Sequence, residues 1–277
     1  MDIKYGCHGS TWELDYDKES DYFPQIADTV ERTGFRGVDI QVSLLGRFKE
    51  DPLALKRELD QRNLQLAALT IPFSWLNSEE TAEEKAFADY YIDYVKHFPD
   101  ALLNVAPRTG NQRVDLENRQ HNIIKCANQL AERAAAQGVL CSFHPNSPAG
   151  SVFRLEEDYE VLFNGLDFNY ISYTPDAGHI AFGGMDVLKI FKKYMPYIKH
   201  VHFKDASNDY EWKKMGTGDI DFPEIIRLLM NSGYNGWIMV EEETEESTAN
   251  PTQAILDISK YVDSNLKPIS QGGQKFG

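Results

Sequence analysis

The feature that most constrains the fold of this chain is a recurrence. Short runs rich in β-branched or small apolar residues return eight times, each followed by a polar loop and a stretch of helical periodicity. They begin near Ile3, Arg36, Leu64, Ala101, Val139, Tyr170, Lys199 and Trp237. The mean spacing is about 33 residues, close to the ~30 residues of one strand–helix–strand crossover unit. No interval is long enough for an inserted domain. Strand then helix, eight times over, predicts an α/β protein built as a single-domain (β/α)8 TIM barrel over residues 1–264. A doubly wound sheet normally carries a Gly-rich turn after its first strand, and Gly9-Ser10-Thr11-Trp12 is not that fingerprint.

Helix boundaries are legible at several points. Pro24 suits a first helical turn and Gly34 a C-terminal stop, while Asp221 reads as an N-cap before Phe222-Pro223 and Gly233 ends the same helix. The stretch from Glu117 to Gln137 is the longest helical pattern. From Asn265 onward no apolar period survives, and Pro268, Gly272 and Gly273 predict a flexible tail over 265–277.

Charge narrows the function. Lys and Arg number 28 against 43 Asp and Glu, a net charge of −15, which opposes the phosphate neutralisation that nucleic-acid binding requires. No apolar run approaches the roughly 18–20 residues of a membrane span, and Met1-Asp2-Ile3-Lys4 has no signal pattern. The expectation is a cytoplasmic protein with a small-molecule partner, no nucleic acid and no membrane, compatible with a homo-oligomer. Cys7, Cys126 and Cys141 are odd in number and widely spaced, so buried free thiols are expected.

In such a barrel the chemistry gathers where the strands end and the loops converge. Strand five ends in His144, strand six in Asp176, strand seven in His202 and strand eight in Glu241. Each alone is ordinary: a strand-end histidine is usually a hydrogen-bonded surface group, and Glu241-Glu242-Glu243 could be a solvated acidic loop. Four at consecutive strand ends form a ligand set suited to Mn²⁺, Co²⁺, Fe²⁺ or Zn²⁺. Strand alternation puts His200 on the same face as His202, one layer deeper.

The strings Asp176-Ala-Gly-His179, His200-Val-His202-Phe-Lys204-Asp205, Gly216-Thr-Gly218-Asp-Ile-Asp221-Phe222-Pro223 and Gly236-Trp237-Ile-Met-Val-Glu241 resemble the xylose isomerase-like TIM-barrel superfamily, the sugar phosphate isomerase/epimerase group. Within it they are most similar to the inosose dehydratase branch. The resemblance implies one divalent metal, Mn²⁺ or Co²⁺ first and Zn²⁺, Fe²⁺ or Mg²⁺ also compatible, held by His144, Asp176, His202 and Glu241. It implies substrate contact by His179.

Many isomerases and epimerases of this group carry Glu where this chain has His144, in a string such as Leu-Glu-Pro-His; here it reads Phe143-His144-Pro145-Asn146. Epimerisation next to a ketone uses a base on one face and an acid on the other, so losing one carboxylate favours elimination. The three-zinc endonuclease IV branch uses an additional Asp-x-His pair after strand seven, where this chain has Lys213-Lys214-Met215.

The expected reaction is metal-dependent abstraction of an α-proton from a polyhydroxy ketone of sugar or cyclitol type, with loss of water. Glu241 is the first candidate base. His179 would orient or protonate the departing hydroxyl, and Lys204 would stand near the developing oxyanion or else pair with Asp205 or a neighbouring carboxylate. Trp12 and Arg154 are candidate substrate contacts, with a core position and a surface ion pair to Glu156 or Glu157 as the plainer readings. Gly216-Thr217-Gly218 could cradle a phosphate, though a plain turn into a capped helix is favoured. Sugar isomerisation or epimerisation, and metal-bound sugar sensing without turnover, stay open as alternatives.

Overall fold

Parallel strands stand where each of the apolar runs predicts one. In the computed structural model, which describes residues 3–272, they are β1 (Lys4–His8), β2 (Gly37–Gln41), β3 (Gln65–Phe73), β4 (Leu102–Pro107), β5 (Leu140–Phe143), β6 (Ile171–Tyr173) and β7 (His200–Phe203). A short antiparallel ribbon, β8 (Asp205–Ala206) with β9 (Trp212–Lys213), follows, and β10 (Trp237–Val240) is the last barrel strand. The eight-stranded sheet runs β6-β5-β4-β3-β2-β1-β10-β7. It closes between β6 and β7 through isolated parallel bridges pairing Tyr173 with Ile198 and Asp176 with His202. The second bridge joins two residues already singled out for chemistry.

Because helices cover the outside and side chains fill the inside, the strands are buried on both faces and read as near-continuous apolar runs. β3 is buried at every position except Gln65. The helix Phe23–Thr33 turns Phe23, Ile26, Ala27, Val30 and Thr33 inward, carries Pro24 in its first turn and stops at Gly34 with φ 73°. The helix Phe222–Asn231 begins at Asp221, whose carboxylate accepts from the Glu224 N–H at 2.9 Å. The long central pattern is the helix Leu116–Ala135.

The barrel interior is layered. At the floor Ala67, Trp237 and Met239 form an apolar cluster separate from the core that lies under the helices. A Cβ on Gly37 would stand 2.5 Å from the Trp237 ring, so the indole lies where only a glycine leaves room. Above the floor the usual branched aliphatic filling gives way to polar groups. Asp39, Thr70, Asn104, Ser142, Thr174 and His200 are all at most 2% exposed and hydrogen-bonded to one another in part.

The chain departs from expectation at its C-terminal end. The expected tail from Asn265 is helical through the last described residues: Pro251–Tyr261 continues through a π-helical stretch Val262–Leu266 into Lys267–Gly272. Leu266 is buried in the core, and Tyr5 donates to Ser270 Oγ at 3.2 Å. The helix widens to π spacing just ahead of Pro268, so a residue lacking an N–H is met by a change of winding instead of a helix end. Residues 273–277 of the expected tail lie outside the described residues. No helix among the described residues is long and apolar enough to cross a membrane. The three cysteines are free and buried.

Candidate functional site

All four strand-end residues reach the C-terminal mouth of the barrel. His144 follows β5 and its N–H donates to the Val105 carbonyl at 2.9 Å. Asp176 follows β6 and serves two purposes. Its Oδ1 accepts from the His179 N–H at 2.9 Å, capping the short helix Ala177–Phe182, which leaves Oδ2 among His144, His179 and Lys204. His202 lies in β7. Glu241 follows β10, its N–H donating to the Phe203 carbonyl at 3.1 Å.

The side chains form two adjoining groups. In the first, His144 Nε2 stands 3.8 Å and His179 Nε2 3.9 Å from Asp176 Oδ2. In the second, His202 Nδ1 meets Glu241 Oε1 at 3.0 Å, and Ser10 Oγ donates to Glu241 Oε2. The groups touch through the His144 and His202 rings, whose centroids are 4.7 Å apart. His144 Nε2 and Asp176 Oδ2 are buried and have no hydrogen-bond partner among the described residues. Buried lone pairs left unmatched in this way suit a cation, and the donor set of two imidazoles and two carboxylates fits a first-row divalent metal.

Two residues that sequence reasoning passed over belong to this site. His8 ends β1, opposite Asp39 on β2. Its Nδ1 accepts from the Ser10 N–H at 3.2 Å and lies 3.5 Å from Glu241 Oε2, while its Nε2 is 3.6 Å from Asp39 Oδ1. His8 was open to the strand-end rule applied to strands five to eight. Glu243, read as part of an acidic loop, lines the mouth cavity together with Leu14, Tyr16, Gln41 and Asn104.

At the centre is Lys204, 1% exposed. Its Nζ donates to Glu243 Oε1 at 2.6 Å and to His179 Nε2 at 3.1 Å. It also stands 3.6 Å from Asp176 Oδ2, 3.8 Å from Glu241 Oε2, and over the Trp212 ring at 4.5 Å. Burial alone would favour the neutral amine, but Asp176 and the two glutamates outweigh it and keep the ammonium charged. Of its expected alternatives, pairing with a neighbouring carboxylate is realised at Glu243. Asp205 is committed elsewhere.

That commitment decides the Gly216-Thr217-Gly218 turn. Asp205 Oδ2 accepts from the N–H groups of Gly216 at 2.8 Å and Gly218 at 2.9 Å. The donors a phosphate would have used are taken by an internal carboxylate, so this is a turn and not a cradle.

Electrostatics sorts the remaining roles. His179 is driven down to about 3 by burial and by the Lys204 ammonium, so it is neutral at pH 7. Its Nε2 lies 3.1 Å from the Lys204 ammonium, and its Nδ1 lies 2.8 Å from Ser147 Oγ and accepts from the Ser147 N–H at 3.3 Å. The expected role of His179 as a proton donor therefore does not fit its surroundings, whereas an orienting contact does. Glu241, the expected base, is opposed by burial, yet Lys204 and His8 hold it well below the usual carboxylate range. Both its oxygens are engaged, by His202 and Ser10, which suits a ligand better than a base. Burial raises Glu243 above the usual range despite Lys204.

Trp12 and Arg154 do not line this cavity. The Trp12 indole is buried in the core beneath the loop after β1. The backbone N–H of Arg154 donates to Asp158 at 3.0 Å, and Glu156, one of the expected side-chain partners, takes Lys189 instead. Phe73 and Trp75 stack on each other at 4.2 Å in the core.

A family model described as xylose isomerase-like TIM barrel matches residues 27–263. An inosose dehydratase of Bacillus velezensis is 28% identical, with 96% of this chain and 97% of that protein covered. One from Clostridium tetani is 24% identical, over 94% and 96%. Among solved structures, the probable 3-DHS dehydratase AsbF of Bacillus anthracis superposes with a TM-score of 0.73 at 16% identity, covering 95% of this chain and 100% of that one. D-psicose 3-epimerase of Clostridium cellulolyticum gives 0.70 at 19%, over 94% and 99%. An IolI protein with a bound zinc atom gives 0.73 at 14%, over 96% and 98%. At these identities the structural likenesses establish the fold.

Proposed function

The chain belongs to the xylose isomerase-like TIM barrel family, and from that premise we propose that it is a divalent-metal-dependent lyase of inosose dehydratase type, removing water from a keto-cyclitol or keto-sugar. Near full-length similarity to inosose dehydratases supports the substrate class. The observation that carries the reaction type is the Lys204–Glu243 pair: Glu243 lines the mouth cavity, and the buried Lys204 donates to its Oε1 at 2.6 Å.

His144, Asp176, His202 and Glu241 would hold the ion. Bound there, it supplies Lewis acidity to the substrate carbonyl and so eases loss of the neighbouring proton. The protein's own groups do the rest. Glu243, kept weakly acidic by burial, takes the α-proton. Lys204 gives a proton to the departing hydroxyl, which leaves as water. Because the two side chains share a hydrogen bond, the proton on Glu243 passes to the Lys204 amine and both return to their starting forms. A proton taken and a proton given by one bonded pair suits elimination, whereas epimerisation needs its acid and base on opposite faces of the carbanion. His179, neutral and fixed by Ser147, orients the hydroxyl that leaves.

The mouth cavity is about 40 Å³, room for a water or two but not for a six-carbon ring. The residues that line it, Leu14 and Tyr16 among them, must therefore give way when substrate enters. The testing experiment incubates metal-stripped and Mn²⁺- or Co²⁺-reloaded protein with a panel of inososes and keto-sugars. A product lighter by one water, formed only by reloaded protein and reduced about 10²-fold or more in Glu243→Gln, supports the reading. Turnover by fully stripped protein, or an undiminished Glu243→Gln, contradicts it.

A further inference from the structure

Beneath the mouth the polar layer has one organising group, Asp39. It sits inside β2 with no exposed surface, and its Oδ2 accepts from Nε2 of both His200 and His202, each at 2.9 Å. These contacts cross the barrel interior, since β1 and β10 separate β2 from β7 in the sheet. Its other oxygen accepts from Thr70 Oγ1 at 3.0 Å, and Asn104 Nδ2 reaches Thr70 Oγ1 at 3.3 Å. The carboxylate is thus braced on both sides and has no freedom to turn.

An imidazole has two nitrogens, and an ionised carboxylate can only accept. Both nitrogens of His202 face carboxylates, Nε2 toward Asp39 at 2.9 Å and Nδ1 toward Glu241 Oε1 at 3.0 Å; Glu241 is itself a proposed ligand, so Nδ1 is the nitrogen on the metal side and Nε2 the one that stays with Asp39. We propose that Asp39 is a positioning residue: by holding Nε2 of His202 it fixes both the ring orientation and the tautomer in which Nδ1 is offered to a metal. His200 shares the same oxygen and acts as a strut that keeps Asp39 from following His202 when the ring adjusts. The inference rests on the reading of His202 as a ligand. It assigns a role to a residue on a strand that contributes no ligand, and it explains why the barrel tolerates a buried carboxylate where aliphatic filling would ordinarily stand.

The test uses the metal alone as probe. Metal-stripped wild type and Asp39→Asn are titrated with Co²⁺, following its visible absorption, and Zn²⁺-loaded wild type labelled with ¹⁵N-histidine is examined by NMR. The expected results are an affinity about 10- to 100-fold weaker in Asp39→Asn, and a His202 ring with its proton on Nε2. An Asp39→Asn protein that loses stability but binds Co²⁺ as wild type does would show a merely structural role and overturn the inference. A proton on Nδ1 of the loaded wild type would overturn it too, without depending on whether the variant folds. Wild type that binds no Co²⁺ refutes the metal reading itself, an outcome distinct from an unaffected Asp39→Asn.

Discussion

Loading the metal-free protein with a divalent ion should release one proton per ion, and His202 is its source. Burial disfavours charge on this ring, but hydrogen bonds to Asp39 and Glu241 outweigh it and bring its pKa up to about 10. The other proposed ligands are ready beforehand. Burial keeps His144 below the ordinary histidine value. Asp176 is opposed by burial but held at about 2 by Lys204 and His179, and Glu241 is ionised. At pH 7 a proton must leave a group some three units above the solution pH, which costs about 4 kcal/mol or roughly 10³-fold in apparent affinity. Apparent affinity should then climb about tenfold per pH unit between roughly pH 6.5 and 8.5. Calorimetric titration in buffers of different ionisation enthalpy measures both the proton count and the slope. A pH-independent affinity, or release of two protons, refutes the reasoning. Stability moves the opposite way in stripped protein. The folded-state pKa of His202 lies above its unfolded value, so its contribution is full below about pH 6.5 and is lost as pH rises through about 10. Thermal melts of stripped protein should fall across that window, and those of loaded protein should not follow them.

Asp176→Ala and His202→Ala should each weaken Co²⁺ binding by at least about 10²-fold and abolish turnover, read by titration and by product formation. Asp205→Ala strips the acceptor from Gly216 and Gly218 and should cost about 2–4 kcal/mol in urea unfolding, with Co²⁺ affinity unchanged. Gly37→Ala forces a methyl into the Trp237 ring and should cost about 1–3 kcal/mol by the same measurement; pairing it with Trp237→Leu should recover part of that loss.

Much of the architecture was legible because its signals are local. Spacing of apolar runs located every barrel strand to within a few residues, and Pro24, Gly34 and Asp221 marked helix ends through chemistry confined to one turn. The strand-end rule brought His144, Asp176, His202 and Glu241 to one mouth. Asp39 could not be found that way. It lies inside β2, and its meaning comes from His200 and His202, about 160 residues later and on the far side of the barrel, a pairing that no local pattern encodes. The division of labour between Glu241 and Glu243 was hidden for a related reason. Both fall in one acidic run, and only the folded contacts show that Glu241 is tied by His202 and Ser10 while Glu243 pairs with Lys204. Trp12 and Arg154 were chosen by residue type, and residue type does not say which way a loop side chain turns.

The central claim is that a proton leaves carbon and water leaves with it. Its most direct test is incubation of Mn²⁺- or Co²⁺-loaded protein with 2-keto-myo-inositol in deuterated water, followed by mass spectrometry and ultraviolet absorption. Elimination through the Lys204–Glu243 pair predicts a product lighter by one water, with a new enone or diketone chromophore. Recovery of isomers with unchanged skeleton and deuterium at the α-carbon, and no dehydrated product, would contradict the account and assign the site to epimerisation.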